Sequence, residues 1–208
     1  MGGSATFVAA ATPSPRATPI ASVLILLVLA VGYLVIAAAG TRTSAEVRYQ
    51  SFVTGYSWYD NTPPLSATVC CSVRHQEASG VGTYADPITM AVGRTSLGGQ
   101  SVLDFPAGTR FYIPNLRRYF IVEDACGDGP TPQSGPCHTG YPSDAQNWLD
   151  VWIDGRNGTV ALTDACMDAF TDVQLAIKDP EPDYAVVSGP IYGPTGCTAQ
   201  YGDTPVMA

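Results

Sequence analysis

Lysine is almost absent from this 208-residue chain, in which Lys178 is the only one. Lysine and arginine together number 10 against 18 aspartate and glutamate residues, so the formal net charge is -8. Such a chain repels a nucleic acid rather than attracting it, because the phosphates carry charge of the same sign. The composition therefore argues against a nucleic acid as a partner.

Metal-binding and nucleotide-binding motifs are also missing. The two histidines, His75 and His138, lie far apart in the sequence, and no pair of cysteines has C-x-x-C spacing. There is no phosphate-binding glycine loop, no G-x-S-x-G elbow and no H-E-x-x-H helix. We therefore expect no metal, no cofactor, and no nucleotide-dependent, esterase or metalloprotease activity.

Charged residues are scarce at 13%, whereas the chain contains 21 glycines and 17 prolines. This composition favours short strands joined by turns over long helices. One short helix is predicted over residues 164–170, with Thr163 or Asp164 as its N-cap. Six short strands and a lone helix predict an all-β fold, a small closed barrel. The predicted strands span residues 49–59, 88–92, 110–114, 119–123, 149–154 and 184–192.

The chain contains six cysteines, all of which lie beyond an apolar N-terminal segment. Disulfides are their simplest use, and they require an oxidising compartment. A Gly/Pro loop separates Cys126 from Cys137 and predicts a local bridge there. In the remaining two bridges, we expect the neighbouring residues Cys70 and Cys71 to pair with Cys166 and Cys197. The sequence leaves open which pairs with which, because six cysteines allow fifteen pairings.

The apolar segment covers residues 20–39 and is long enough to cross a bilayer as a helix. We predict a disordered tail over residues 1–19 and a transmembrane anchor over 20–40. The alternative is a cleavable signal peptide, for which Ala37, Ala38 and Ala39 would supply the small residues at the cleavage site.

The remaining residues are enough for one domain, which we place at 46–200, with a C-terminal tail over 201–208. The disulfides place this domain outside the cytoplasm, either anchored to the membrane or secreted. We expect a monomer.

The stretch FPAGTRFYIPNLRRYFIVEDACGDG, followed by WLDVWIDG, resembles the three-aspartate (3D) domain and its relatives. Here the family's Pro-x-Gly-Thr turn is residues 106–109, its loop aspartate is Asp124 and its strand aspartate is Asp150. The first family aspartate has no counterpart, because Ser101 falls near its place. The resemblance covers residues 83–177.

The resemblance implies a six-stranded double-psi β-barrel and a role on polysaccharides. Relatives with this barrel include membrane-bound lytic transglycosylases, endoglucanases and expansins, all of which handle glycans. The stretch Thr54 to Asp60 is similar to an endoglucanase strand that carries an aspartate base, with two extra residues. The resemblance therefore adds Asp60 as a candidate catalytic residue.

Cleavage of a glycosidic bond requires a proton donor and often a second carboxylate. Asp150 suits the donor because it lies among apolar residues, which raise the pKa of a carboxyl group. Asp124, beside a glycine loop, would be solvated and ionised. The structural alternative is that Asp124 caps a turn and Asp150 only forms hydrogen bonds within the fold.

Aromatic residues near these aspartates could stack against sugar rings. The candidates are Tyr56, Trp58, Trp148 and Trp152, of which the last two share a strand side with Asp150. Alternation along a strand also sends every second residue into the core, so some of these rings could be structural instead.

His138 follows Cys137 and would be fixed by the predicted disulfide. It could move a proton or bind a sugar hydroxyl, or it could be an ordinary surface histidine.

These observations predict an extracytoplasmic protein that cleaves glycosidic bonds of a cell-wall polysaccharide. The alternatives are a non-catalytic, expansin-like wall-binding module and a secreted structural domain without glycan activity. A second, well-placed carboxylate would favour the enzyme over the binding module.

Overall fold

The computed structural model describes residues 2–3, 45–127 and 131–208 of the chain. A 3-10 turn, Pro132–Ser134, and two α-helices, α1 (Pro136–Thr139) and α2 (Val160–Phe170), accompany the strands. The strands are β1 (Val47–Tyr56), β2 (Ile88–Val92), β3 (Arg94–Leu97), β4 (Gln100–Leu103), β5 (Arg110–Ile113), β6 (Arg118–Ala125), β7 (Asn147–Trp152), β8 (Asp172–Lys178), β9 (Tyr192–Gly193) and β10 (Gly196–Cys197).

Six of these strands form a closed barrel in the order β1-β7-β2-β6-β5-β8. The pairs β1–β7 and β2–β6 are parallel, and the other four pairs are antiparallel. The short hairpins β3–β4 and β9–β10 lie outside the barrel. The prediction of a mainly β fold with a small closed barrel is therefore confirmed.

The connectivity of the barrel has an internal two-fold relationship. When β1 is exchanged with β6, β2 with β7 and β5 with β8, the strand order of the barrel and its two parallel pairs stay the same. Each of the six neighbouring pairs joins a strand of one half to a strand of the other, and in the β2–β7 pair Ala91 lies opposite Asp150. Residues near this pair therefore come from both halves of the domain.

The apolar runs of the sequence form the centre of the barrel. All five residues of β2 are buried, as are the first seven of β6, so these strands are covered on both faces. Helix α2 contacts β1 at Gly55, where an added Cβ would lie only 2.8 Å from Cζ of Phe170. The absence of a side chain at this glycine lets the helix approach the strand closely.

Helix α2 begins earlier than the sequence predicts. Its N-cap is Thr159, whose side chain accepts a hydrogen bond from the N–H of Leu162, so the choice of Thr163 or Asp164 was wrong. Thr163 is instead buried, and its hydroxyl donates to the carbonyl of Val160 at 2.8 Å.

The sixth predicted strand was placed wrongly. The barrel is completed by β8, whereas residues 184–191 form an extended loop bonded to other loops at single positions, such as Val187 N–H to the Arg117 carbonyl. Strand β8 was missed because it directly follows α2 and contains the buried polar residue Gln174, which interrupts the apolar pattern.

The disulfides are Cys126–Cys137, as predicted, Cys166–Cys197 and the neighbouring pair Cys70–Cys71. The expectation that Cys70 and Cys71 bind the two later cysteines was wrong. Cys166 is buried on α2, and its Cα lies 5.4 Å from that of Cys197, a separation that suits a disulfide between these two.

The predicted anchor over residues 20–40, and the predicted tail before it apart from residues 2–3, lie outside the described residues. In the ranges that the structure describes, no helix is long and apolar enough to cross a membrane. Residues 44–208 form one compact unit. Residues 201–208 contact the rest of the unit through Tyr201, which donates its N–H to Asn115, and through Met207, which bridges to Tyr184.

Candidate active site

A cavity of about 470 Å³ opens beside β1, β2, β6 and β7 and is called the carboxylate cleft below. The three aspartates identified from the sequence, Asp60, Asp124 and Asp150, all line it. Its other lining residues are Tyr56, Asn61, Thr62, Thr68, Val69, Cys70, Ala91, Arg94, Ala125, Cys126 and Gly127.

Strand register brings Asp150 and Asp124 to the same level of the barrel. Ala91 on β2 pairs with Asp150 on one side and with Asp124 on the other. Because neighbouring strands lie about 4.8 Å apart, the two aspartate Cα atoms are about 10 Å apart. The small side chain of Ala91 leaves space between the carboxyl groups.

A β-bulge determines which acidic residue of β6 faces the cleft. Met90 pairs with Val122, but the next residue, Ala91, pairs with Asp124, so the register with β2 skips Glu123, which contacts that strand through the Thr89 hydroxyl at 3.2 Å. A bulge of this kind redirects the side chains that follow it. Asp124 therefore lines the cleft, whereas Glu123 binds the segment before β2.

Asp150 is half-buried and has a polar support on β1. The hydroxyl of Thr54 donates to Asp150 Oδ1 at 2.6 Å, and Trp148 Nε1 donates to that hydroxyl at 2.7 Å. The pKa of Asp150 is raised to about 7. Burial contributes most to this rise, the hydrogen bond from Thr54 opposes it, and the negative charges of Asp60 and Asp124 add to it. A large fraction of Asp150 is therefore protonated near neutral pH.

Asp124 is buried and surrounded by donors. Its Oδ1 accepts from the N–H groups of Cys70 at 3.1 Å and Ala125 at 2.9 Å, and its Oδ2 accepts from the Tyr56 hydroxyl at 3.1 Å. Burial, followed by the charges of Asp124 and Asp150, raises the pKa of Tyr56 well above its ordinary value, so this phenol remains a donor. These contacts favour the ionised carboxylate of Asp124.

Asp60 lies at the exposed edge of the cleft, on the turn after β1. Its Oδ1 accepts from both the N–H and the hydroxyl of Ser57 at 2.6 Å. Arg94, on the other side, donates to the sulfurs of Cys70 and Cys71 at 3.5 and 3.6 Å. The cleft thus combines three acidic side chains with one basic side chain.

The structure does not bring the three tryptophans to the cleft. Trp148 contacts Phe52 edge-on, and Trp152 is buried against Tyr56 with ring centres 5.3 Å apart. Trp58 lies under the guanidinium of Arg156 at 5.3 Å. Of the four aromatic candidates, Tyr56 lines the cleft.

His138 lies on α1, away from the carboxylate cleft. Its Nδ1 is 3.1 Å from Asp104 Oδ1, and its Nε2 is 3.0 Å from the Thr95 hydroxyl. This cluster connects α1 to the β3–β4 hairpin and does not line the cleft.

Glu123 and His75 support the cleft, and the sequence reasoning did not identify them. The fully buried Glu123 accepts hydrogen bonds from the N–H groups of Val73, Arg74 and His75, and its Oε2 lies 2.7 Å from His75 Nδ1. Burial raises the pKa of Glu123, but these hydrogen bonds outweigh it and lower the pKa. The sequence contains a pattern that points to Glu123, because two consecutive acidic residues in the apolar run IVEDA need hydrogen-bond partners when that run is buried.

Among residues 45–127 and 131–208, no group of three histidine, cysteine, aspartate or glutamate side chains is arranged to hold a metal ion.

Comparison with known proteins places this domain in a family. Residues 48–199 match the model described as the DDB_G0273701 N-terminal domain. The uncharacterized protein DDB_G0273701/DDB_G0273221 of Dictyostelium discoideum is 31% identical over 164 residues, which are 77% of this chain and 64% of that protein. The chain thus spans less than two thirds of the length of this relative. No solved structure matches the chain. The matched region includes the whole barrel except the first residue of β1, and the chain therefore belongs to the DDB_G0273701 N-terminal domain family.

Proposed function

We propose that this protein cleaves glycosidic bonds of a cell-wall polysaccharide, with Asp150 as the proton donor. The observation that carries the proposal is a carboxyl group with a pKa of about 7 in a cleft that it shares with two further carboxyl groups. Glycosidic cleavage needs a protonated acid at the leaving oxygen, and a raised carboxyl pKa supplies one near neutral pH.

Asp124 would be the partner of this acid. Its hydrogen-bond donors favour the carboxylate, which can take a proton from water or stabilise the positive charge that develops on the sugar ring. The Cα separation of about 10 Å from Asp150 leaves room for a water molecule between the two groups. Asp60, at the cleft edge, would bind sugar hydroxyls or serve as an alternative base.

The barrel supports the resemblance to the 3D and double-psi relatives, which we retain as a proposal. Two parallel pairs within a six-stranded barrel, related by exchange of the two halves, agree with a double-psi connection. The Pro-x-Gly-Thr turn, residues 106–109, precedes β5, as the resemblance requires. Within it, Gly108 has a φ of 90°, which favours glycine at this position.

The disulfides support a location outside the cytoplasm, and the apolar run over residues 20–40 would anchor the chain or direct its export. We propose that the protein acts there as a monomer on a neutral or weakly charged glycan. A non-catalytic wall-binding module is the second candidate, but the absence of the three tryptophans from the cleft and the convergence of three aspartates favour the enzyme.

The test is release of soluble saccharide from peptidoglycan and from β-glucans by the purified full chain. Asp150→Asn should lower release at least 100-fold, because general acid catalysis contributes about 10² to 10⁴ in rate. Asp144→Asn is the matched control, since Asp144 is exposed and does not line the cleft. Release by Asp150→Asn at the wild-type rate would refute the proposal, and polymer binding without release by the wild type would favour the binding module.

A further inference from the structure

A second cavity, of about 210 Å³, lies at the end of β7 and is called the Trp152 pocket below. It is lined by Trp152, Asp154 and Arg156, together with apolar surface from Ile88 and Pro190. Asp150 and Trp152 are two residues apart on β7, so their Cα atoms lie about 7 Å apart. The Trp152 pocket is therefore close to the carboxylate cleft but has its own lining residues.

The indole of Trp152 has an unsatisfied donor. Its side chain is 2% exposed, and its Nε1 is buried without a hydrogen-bond partner among the residues that the structure describes. A buried donor without an acceptor costs roughly 1 to 3 kcal/mol, and such a group requires an explanation. The indole of Trp148, in contrast, donates to Thr54.

A charge pair with an aromatic neighbour lies beside this indole. Arg156 Nε donates to Asp154 Oδ1 at 2.7 Å, and the guanidinium stacks over Trp58 at 5.3 Å. One carboxylate and one guanidinium leave the pocket with no net charge.

These groups suit a neutral ligand that carries hydroxyl groups. A hydroxyl can accept a hydrogen bond from Arg156 and can donate one to Asp154. The net charge of -8 on the chain disfavours an anionic ligand. The apolar side chains in the lining would contact the C–H surface of a sugar ring.

We propose that the Trp152 pocket binds one neutral sugar residue of the polysaccharide, outside the carboxylate cleft. The identification of the ligand as a sugar rests on the proposed function. Trp152 would then contribute to glycan binding at this pocket rather than beside the catalytic aspartates. The polymer would extend from the carboxylate cleft to the Trp152 pocket.

The experiment is a titration of the ¹⁵N-labelled full chain with chitohexaose and, separately, with cellohexaose. The chain has three tryptophans, so its NMR spectrum should contain three indole N–H signals. We expect one of the sugars to shift the Trp152 signal in the wild type and equally in Asp150→Asn. Arg156→Gln should weaken this binding about tenfold, which is the loss of about 1.4 kcal/mol, and Arg156→Lys should keep part of it.

Arg156 is suited to substitution because its side chain is 42% exposed, so the variant should remain folded, which the undisturbed Trp148 signal would verify. A Trp152 signal that does not move with either sugar, or a shift that Asp150→Asn abolishes and Arg156→Gln leaves intact, would overturn the inference. A Trp152 signal that does not move would leave the proposed saccharide release by the carboxylate cleft uncontradicted. A shift without any release would support the Trp152 pocket while the proposed enzyme fails.

Discussion

Asp150 and Asp124 illustrate how residues of one type acquire different properties in the same cleft. Asp150 has one donor, Thr54, and its pKa is raised to about 7 mainly by burial, whereas Asp124 accepts from two N–H groups and a phenol. The sequence predicted apolar surroundings for Asp150, but it wrongly predicted a solvated Asp124, which the structure buries. It could not predict Thr54, because that contact depends on the pairing of two strands that are 96 residues apart.

Replacement of Asp150 by asparagine should change how stability depends on pH. The folded-state pKa of about 7 lies above the ordinary value of 3.8, so the folded state binds the proton more strongly than the unfolded state. The stabilisation is complete below about pH 4 and is lost as the pH rises through 7. The wild type should lose about 2 kcal/mol over this range relative to Asp150→Asn, after allowance for the partial exposure of the carboxyl.

Urea unfolding at several pH values measures this difference. Asp144→Asn should retain the slope of the wild type, since Asp144 is exposed. Parallel curves for the wild type and Asp150→Asn would show that Asp150 has an ordinary pKa.

The tryptophans show the limit of sequence reasoning at the residue scale. Alternation along residues 148–153 correctly places Val151 and Ile153 in the core. Alternation gives the side of the strand but not the position along the barrel, so it did not distinguish Asp150 in the carboxylate cleft from Trp152 in the Trp152 pocket.

At the scale of elements, the contact between α2 and β1 depends on Gly55. Gly55→Ala would place a Cβ 2.8 Å from Phe170 Cζ and 2.9 Å from Met167 Cγ. Such overpacking should lower the free energy of unfolding by about 1 to 3 kcal/mol, as measured by urea denaturation. Gly193→Ala is the control, because the nearest atom to its Cβ would be at 3.5 Å, an ordinary contact; equal effects of the two variants would contradict this account.

The segment before β2 depends on Glu123. Glu123→Gln removes the charge that three backbone N–H groups and His75 bind, and it should destabilise the fold by about 2 to 3 kcal/mol. Hydrogen exchange at Val73 and Arg74 should become faster. Glu77→Gln serves as the comparison since Glu77 is exposed, and unchanged exchange in Glu123→Gln would show that the segment is ordered by other contacts.

The elements that the sequence predicted best are those with an uninterrupted apolar run. Strand β2 was predicted with its exact observed bounds, Ile88–Val92, and β5 and β6 were placed within two residues. Strand β8 was missed because Asp172 and Gln174 are polar, and it pairs with β1 and β5 only through long-range contacts.

At the scale of the whole molecule, the disulfides differ in what they constrain. Cys166–Cys197 closes a loop of 31 residues, and its removal by alanine substitution should cost about 3 to 4 kcal/mol in the chain-entropy estimate. Cys70–Cys71 joins neighbouring residues and closes almost no loop, so its removal should cost much less. Thermal unfolding of the two double variants compares them, and equal losses would argue against loop closure as the cause.

The order of the strands in the barrel could not be predicted from local patterns, because pairing between distant strands leaves none in the sequence. The parallel pairs β1–β7 and β2–β6 bring Thr54, Asp124 and Asp150 together from three distant parts of the chain. Local patterns identified the strands and the acidic residues, and the register determined which of them meet.

The pH dependence of saccharide release by the full chain tests the central claim most directly. If Asp150 donates the proton, the rate should fall as the pH rises through about 7. In Thr54→Val this decline should move to higher pH, because the variant loses the hydrogen bond that lowers the pKa of Asp150 in the wild type, and Thr54→Ser should resemble the wild type. A rate that rises through pH 7, or a decline that Thr54→Val leaves in place, would contradict the assignment of Asp150 as the acid.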